Sequence, residues 1–248
     1  MAIDVFGLLA LLVFVGLLLL YAAMGRRWPV VFRPMPGFEV IGKGIERAVE
    51  AGERVHLSLG TGSVPGKDSA PALAGLAVLS RVAAATTMSD KPAVVTAGDG
   101  ALAILAQDTL RAAYDKLGAR ERYEPTAARM LGPSPFSYVA SLPMVLASED
   151  VSIHILIGSF GAEGALAAVF GERRQAFVLA GTDDIPSQAL LYAVAQHPLI
   201  GEEVYAGGAY LNVGELHRSS LRAQDVVRAL IVGLILAGTL VRTIMDLL

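Results

Sequence analysis

The residues with the chemistry to bind something fall in four glycine-centred turns. Each turn follows an apolar run and precedes a helix-like stretch: residues 55–63 (VHLSLGTGS), 93–100 (AVVTAGDG), 151–164 (VSIHILIGSFGAEG) and 176–184 (AFVLAGTDD). The first supplies Gly60, Thr61, Gly62 and Ser63, and the second Gly98, Asp99 and Gly100. The third adds Ser159 and Glu163, and the fourth Thr182, Asp183 and Asp184. Hydroxyls, carboxylates and the free N–H groups of helix starts together suit a polar small molecule. A bare phosphate fits poorly, because Asp99, Glu163, Asp183 and Asp184 would repel it; a ribose, an amine or a hydrated metal ion fits better. An architectural reading of the same residues stands beside this one. Glycine supplies turn geometry, while serine, threonine and aspartate cap helices and complement their dipoles.

Recognisable catalytic patterns are missing from the sequence. Residues 60–69 (GTGSVPGKDS) have the wrong spacing to Gly66 and Lys67 for a phosphate loop, and Asp68 stands where a magnesium-binding hydroxyl belongs. GSFGAEG departs from the dinucleotide-binding fingerprint at its second glycine. Ser63 does not lie in a nucleophile elbow. His56, His154, His197 and His217 are scattered without metal-ligand spacing, and the first two fall inside strands as core or strand-edge residues. Adjacent Asp183 and Asp184 are commonplace in a helix-initiating turn. Cysteine is absent, which excludes disulfides, thiolate nucleophiles and cysteine-ligated metals. The sequence names no catalytic residue, metal or cofactor.

The elements around the turns alternate between strand and helix. Strands are expected at 55–59, 93–97, 151–157 and 175–180, and helices at 41–51, 70–86, 101–117, 165–170 and 186–196. Asp99 sits where an N-cap belongs, Gly118 and Gly171 as helix stops, and Pro186 in a first turn. Residues 70–86 (APALAGLAVLSRVAAAT) are apolar on nearly every face, as in a helix buried by the sheet and by another subunit. Residues 119–135 read as a loop with a short helix at 126–130, residues 136–147 as a kinked helix or an irregular crossover, and residues 205–213 as a final strand or hairpin. The pattern predicts a Rossmann-like α/β domain of three layers, with a mainly parallel sheet of four to five strands. All four turns then share the carboxyl edge of the sheet, where ligands bind in such folds.

The chain ends are apolar, and they account for much of a 54% hydrophobic composition and a mean hydropathy of +0.56. Residues 5–24 (VFGLLALLVFVGLLLLYAAM) carry no charge, and about 20 helical residues cross a bilayer core of ~30 Å. The MAID start lacks the basic residues of a signal peptide. Near the C-terminus the apolar stretch 229–241 is short, but Arg228 and Arg242 can snorkel. A second span is expected there, with an interfacial helix or an oligomer seam as alternatives. Arg26, Arg27, Arg33 and Lys43 follow the first span, and Arg218, Arg222 and Arg228 precede the second. Positive-inside counting puts the central domain in the cytoplasm and both termini outside. The expected organisation is a transmembrane helix at 1–25, a proline-rich connector at 26–40, the α/β domain at 41–218 and a C-terminal helix at 219–248. A net charge of −3 without a basic block leaves no nucleic-acid footprint.

Three segments carry a resemblance: RAVEAGERVHLSLGTGS (47–63), TAGDGALAILAQDTLRAAY (96–114) and GSFGAEGALA (158–167), set between the two apolar ends. They resemble an uncharacterised family of bacterial membrane proteins defined only by a domain of unknown function. The resemblance implies a bacterial inner-membrane setting and transfers no activity, ligand or site residue. Two functions are then expected. One is a membrane-anchored cytoplasmic scaffold or assembly component that forms homo-oligomers. The other is a sensor or binding module for a nucleotide-like or other polar small molecule at the glycine-turn edge.

Overall fold

The computed structural model describes residues 5–24, 32–66 and 68–247, which divide into two units: the chain ends up to Phe32 and from Gly214, and the segment from Arg33 to Val213. In the second unit a helix α2 (Pro36–Ala51) leads into β1 (Arg54–Gly60), α3 (Ser69–Thr86), β2 (Val94–Ala97) and α4 (Gly100–Lys116). Two short 3-10 turns precede β3 (Ala128–Met130), followed by α5 (Pro135–Ser148), β4 (Val151–Ser159), α6 (Glu163–Arg173) and β5 (Phe177–Gly181). The unit closes with α7 (Ile185–Val194), β6 (His197–Leu199) and α8 (Glu203–Tyr210). The chain-end unit consists of α1 (Val5–Met24) and α9 (Glu215–Leu247), which pack against each other. The tract containing Arg26, Arg27, Trp28 and Pro29, and also Lys67, lies outside the described residues.

All six strands are parallel, in the order β3-β2-β1-β4-β5-β6, the doubly wound arrangement of a Rossmann-like fold. Helices α2, α3, α4 and α8 cover one face, and α5, α6 and α7 the other. The sheet exceeds the expected four to five strands because β3 and β6 are only three residues each, too short to show a period. The expected short helix at 126–130 is a 3-10 turn running into edge strand β3. The expected strand or hairpin at 205–213 is instead helix α8, and His197, Pro198 and Leu199 form the last strand. Proline is tolerated there because β6 is an edge.

Local chemistry explains most boundaries. Helix α2 begins at Pro36, ahead of the expected residue 41, because a proline at the first helical position gives up only an unused N–H. The ambiguous stretch at 136–147 is helix α5, held at its start by a reciprocal capping box between Ser134 and Ser137. Gly171 does not end α6. It lies inside that helix, where a Cβ would come within 2.8 Å of the His154 ring, so glycine lets α6 settle onto the sheet.

Among the described residues, three helices are long and apolar enough to cross a membrane: α1, α3 and the run from Glu215 to Asp246 in α9. Helix α3 is committed elsewhere, since it packs on β1 and β4 and buries Gly75, Val78, Leu79 and Val82. Helix α9 is continuous over 33 residues, so its length is not set by the short apolar stretch at 229–241. Arg242 within it is paired with Asp246 at 3.0 Å.

Candidate functional site

The four turns do converge on the carboxyl edge, and the first and third meet at the point where the strand order reverses, between β1 and β4. Gly60 has a φ of +73°, and Thr61 donates its backbone N–H to the Ser159 carbonyl at 3.0 Å. Gly98 donates to the Gly60 carbonyl at 2.8 Å, which fastens the second turn to the first. Side chains added at Gly62 or Gly98 would press on Ser159 and Thr61 respectively. Glycine here permits backbone-to-backbone packing between turns.

Four of the acidic and hydroxyl groups named from the sequence have structural partners. Asp99 accepts from the Leu102 N–H at 2.9 Å and caps α4. Asp184 accepts from the Ser187 N–H at 3.0 Å and from its hydroxyl, capping α7. Glu163 accepts from the Gly161 N–H at 2.9 Å. Thr182 ties two turns together, accepting from the Phe160 N–H at 3.0 Å and donating to its carbonyl at 2.8 Å. Replacing Asp99 with alanine is expected to lower stability by about 1 kcal/mol while keeping the fold, read as a shift in the urea midpoint with an unchanged slope.

Other residues at this edge keep free polar atoms. Among the described residues, the hydroxyls of Thr61, Ser63 and Ser159 make no hydrogen bond and the side chains are partly exposed. Burial pushes the Asp183 carboxyl above its ordinary range, and the nearby charges of Asp68 and Asp184 push the same way, against a favourable contact with its own backbone. Thr61, Ser63 and Ser159, with the carboxyls of Asp68 and Asp183, are therefore the part of the edge whose polar groups are not committed to capping. No group of three or more potential metal ligands occurs among the described residues.

A polar chain that the sequence did not announce runs through the core on the α5–α6 face. In β1, Arg54, His56 and Ser58 alternate onto one face. Parallel register sets His56 beside His154 of β4, Ser58 beside Thr96 of β2, and Thr96 beside Arg129 of β3. His56, Ser58, Thr96, His154 and Tyr138 of α5 are all fully buried. The two histidines meet Nδ1 to Nδ1 at 2.8 Å with stacked rings, and His56 Nε2 lies 3.0 Å from the Thr96 hydroxyl. Thr96 lies 2.7 Å from the Tyr138 hydroxyl, which lies 2.5 Å from Ser58.

One imidazole must donate and the other accept, so the proton positions along the chain are coupled. His154 Nε2 completes no hydrogen bond. In one direction His56 Nδ1–H donates to His154 Nδ1. Thr96 then donates to His56 Nε2, Tyr138 to Thr96 and Ser58 to Tyr138, and the opposite pair of tautomers reverses every bond of the chain. Burial drives the His56 pKa well below 6.5, helped by the neighbouring His154 and the Arg129 charge. Burial also lowers His154 to about 4, partly opposed by Ala167. Tyr138 is pushed up to about 12 by burial against the pull of Ser58, Thr96 and the Gly60 backbone. Closed under α5 and α6, these side chains form a hydrogen-bonded part of the core. Its sequence signal was the histidine in each of two strands, which becomes informative only once register sets them side by side.

Fold and edge together define an all-parallel, doubly wound α/β protein with apolar helices at both chain ends. The chain belongs to the family described as Domain of unknown function (DUF6754), which matches residues 3–248. Comparison with curated proteins and with solved structures gives no match.

Proposed function

We propose that this protein is a membrane-anchored α/β domain that self-associates through the outer face of α3 and α4 and serves as a scaffold or assembly component. In this reading α1 and α9 hold it in a bacterial inner membrane, with the α/β domain in the cytoplasm and both termini on the outer side. The exposed leucines of both helices favour a lipid environment. The observation that carries self-association is a groove of about 570 Å³ between α3 and α4, floored by Leu76, Leu105 and Ala113 and open to solvent. Leu73 and Leu117 are more than half exposed along it. An apolar surface of this kind on a domain helix is a docking face.

The groove is complementary to itself. Asp108 and Lys116 line it at equal distances on either side of Ala112 along α4. Antiparallel packing of two copies about a two-fold axis at Ala112 sets each Asp108 against the Lys116 of the other copy, with small alanines at the centre for close approach. Asp108 also holds Arg111 of its own helix at 2.7 Å, which orients the carboxylate along the rim. Mass measurement of the full chain in detergent should give a dimer or a larger even-numbered assembly. Ala112→Arg, an exposed change that a monomer tolerates, should leave monomers. Monomers alone from the natural chain would sink this reading.

A second reading, a binding module for a nucleotide-like or other polar small molecule, draws support from the free hydroxyls of Thr61, Ser63 and Ser159 at the switch point.

A further inference from the structure

The amino edge of the sheet, opposite the glycine turns, contains a cleft of about 380 Å³, within the usual range of small-molecule sites. Three arginines reach it from separate elements: Arg54 from the start of β1, Arg129 from β3, and Arg122 from the 3-10 turn after α4. Glu149, just past α5, is the acid at their centre. Its Oε2 accepts from Arg54 at 2.6 Å and its Oε1 from Arg129. One carboxylate thus serves two guanidinium groups, so this half-buried cluster is locally cationic, although Asp90 and Glu124 balance the charge of the lining as a whole.

The donors outnumber the acceptors. The Nε atoms of Arg54 and Arg129 are buried without a hydrogen-bond partner. Among the described residues, Arg122 meets the Ser89 carbonyl at 3.4 Å and the Met88 sulfur, and no carboxylate. Tyr114 lines the same cleft with only 4% of its surface exposed. Its hydroxyl stands among the charges of Arg122, Glu124 and Arg54 and makes no hydrogen bond among the described residues. The hydroxyl is not among the buried unpartnered atoms, so it keeps access to the cleft as a free donor, while both oxygens of the central carboxylate are already engaged. The unpaired acids, Glu124 and Asp90, are exposed at the rim.

We infer that this cleft is a binding site for a small oxyanion, a phosphate or carboxylate group, held by Arg54, Arg129 and Arg122 and by the Tyr114 hydroxyl. Planar guanidinium forks match the geometry of both anions, and the phenol adds a directional donor from the wall. Glu149 is a positioning residue that holds two of the forks in place. The site is independent of the self-association face and of the glycine-turn edge, so it stands or falls without them.

The test is titration calorimetry and thermal unfolding of the full chain in detergent, with sodium phosphate, sodium succinate or sodium chloride at matched ionic strength. Phosphate or succinate should bind saturably and raise the unfolding midpoint beyond chloride, and whichever does so identifies the group. Tyr114→Phe keeps the ring and its packing, and Arg122→Gln changes an exposed side chain, so both should fold. Each should weaken anion binding roughly tenfold, whereas Ser159→Ala at the opposite edge should leave it unchanged. If neither anion exceeds chloride, or if Tyr114→Phe and Arg122→Gln bind as the natural chain does, the proposal is overturned.

Discussion

A side chain placed at Gly158 or Gly60 is expected to prevent the α/β domain from folding. A Cβ at Gly158 would overlap the carbonyl of Leu59, and one at Gly60 the carbonyl of Ser159. These are backbone atoms of the two central strands, where a flexible neighbour cannot swing aside. Gly60 also has a φ of +73°, a region that β-branched residues avoid. Relief would require parting β1 from β4 at their carboxyl ends, with loss of the Thr61 and Gly98 backbone bonds that knit the turns. Domains are stable by only about 5–15 kcal/mol, and a central backbone clash costs upwards of about 4 kcal/mol. Gly158→Val and Gly60→Val should therefore give no cooperative unfolding transition by circular dichroism. Gly42→Ala is the control. It lies in helix α2 with nothing within 4 Å of the added carbon, so it should stabilise slightly, by about 0.5–1 kcal/mol. A Gly158→Val protein that melts like the natural chain would show that the strand ends can part.

The same geometry explains what the sequence could disclose. Four strands were legible because each is an apolar run closed by a glycine turn, and parallel sheets bury both faces of their strands. Asp99 and Asp184 were legible as caps because capping depends on neighbours in the chain. The edge strands β3 and β6 were not, since three residues carry no period and Pro198 argues locally against a strand. Gly171 misled because a glycine inside a helix looks like a stop until the His154 ring beneath it is visible. The contacts across the sheet were hidden for a further reason. His56 and His154 are 98 positions apart, and Arg54 is 95 positions from Glu149, so only the fold brings them together. Sequence therefore located the carboxyl edge, while the polar core and the amino-edge cleft depend on strand order.

The buried histidine pair makes the domain sensitive to mild acid. Both imidazoles are neutral in the fold, with pKa values driven below the ordinary 6.5, His154 to about 4. In the unfolded chain each titrates near 6.5. Below that pH the unfolded state binds more protons than the native state, so stability falls as pH falls. The loss begins at about 6.5 and runs at about 1.4 kcal/mol per pH unit for each histidine until the folded pKa is reached. Asp183 works in the opposite sense, because its carboxyl is raised and protonation relieves a cost, but it is partly exposed and the effect is smaller. For His154, with its folded pKa at about 4, the loss between pH 6.5 and 4.5 is roughly 2–3 kcal/mol, and His56 adds to it in the same direction. The urea midpoint of the full chain in detergent should fall steeply over that window. His154→Asn keeps a neutral side-chain acceptor near the position of Nδ1 and removes one titrating group. It should start from lower stability at pH 7.5 and then lose stability about half as fast with acid. An acid slope in His154→Asn equal to that of the natural chain would place the sensitivity elsewhere. A slope near half would show that stacking two imidazoles inside a parallel sheet ties the fold to neutral pH, because the hydrogen bond that joins their Nδ1 atoms exists only while one of them can accept.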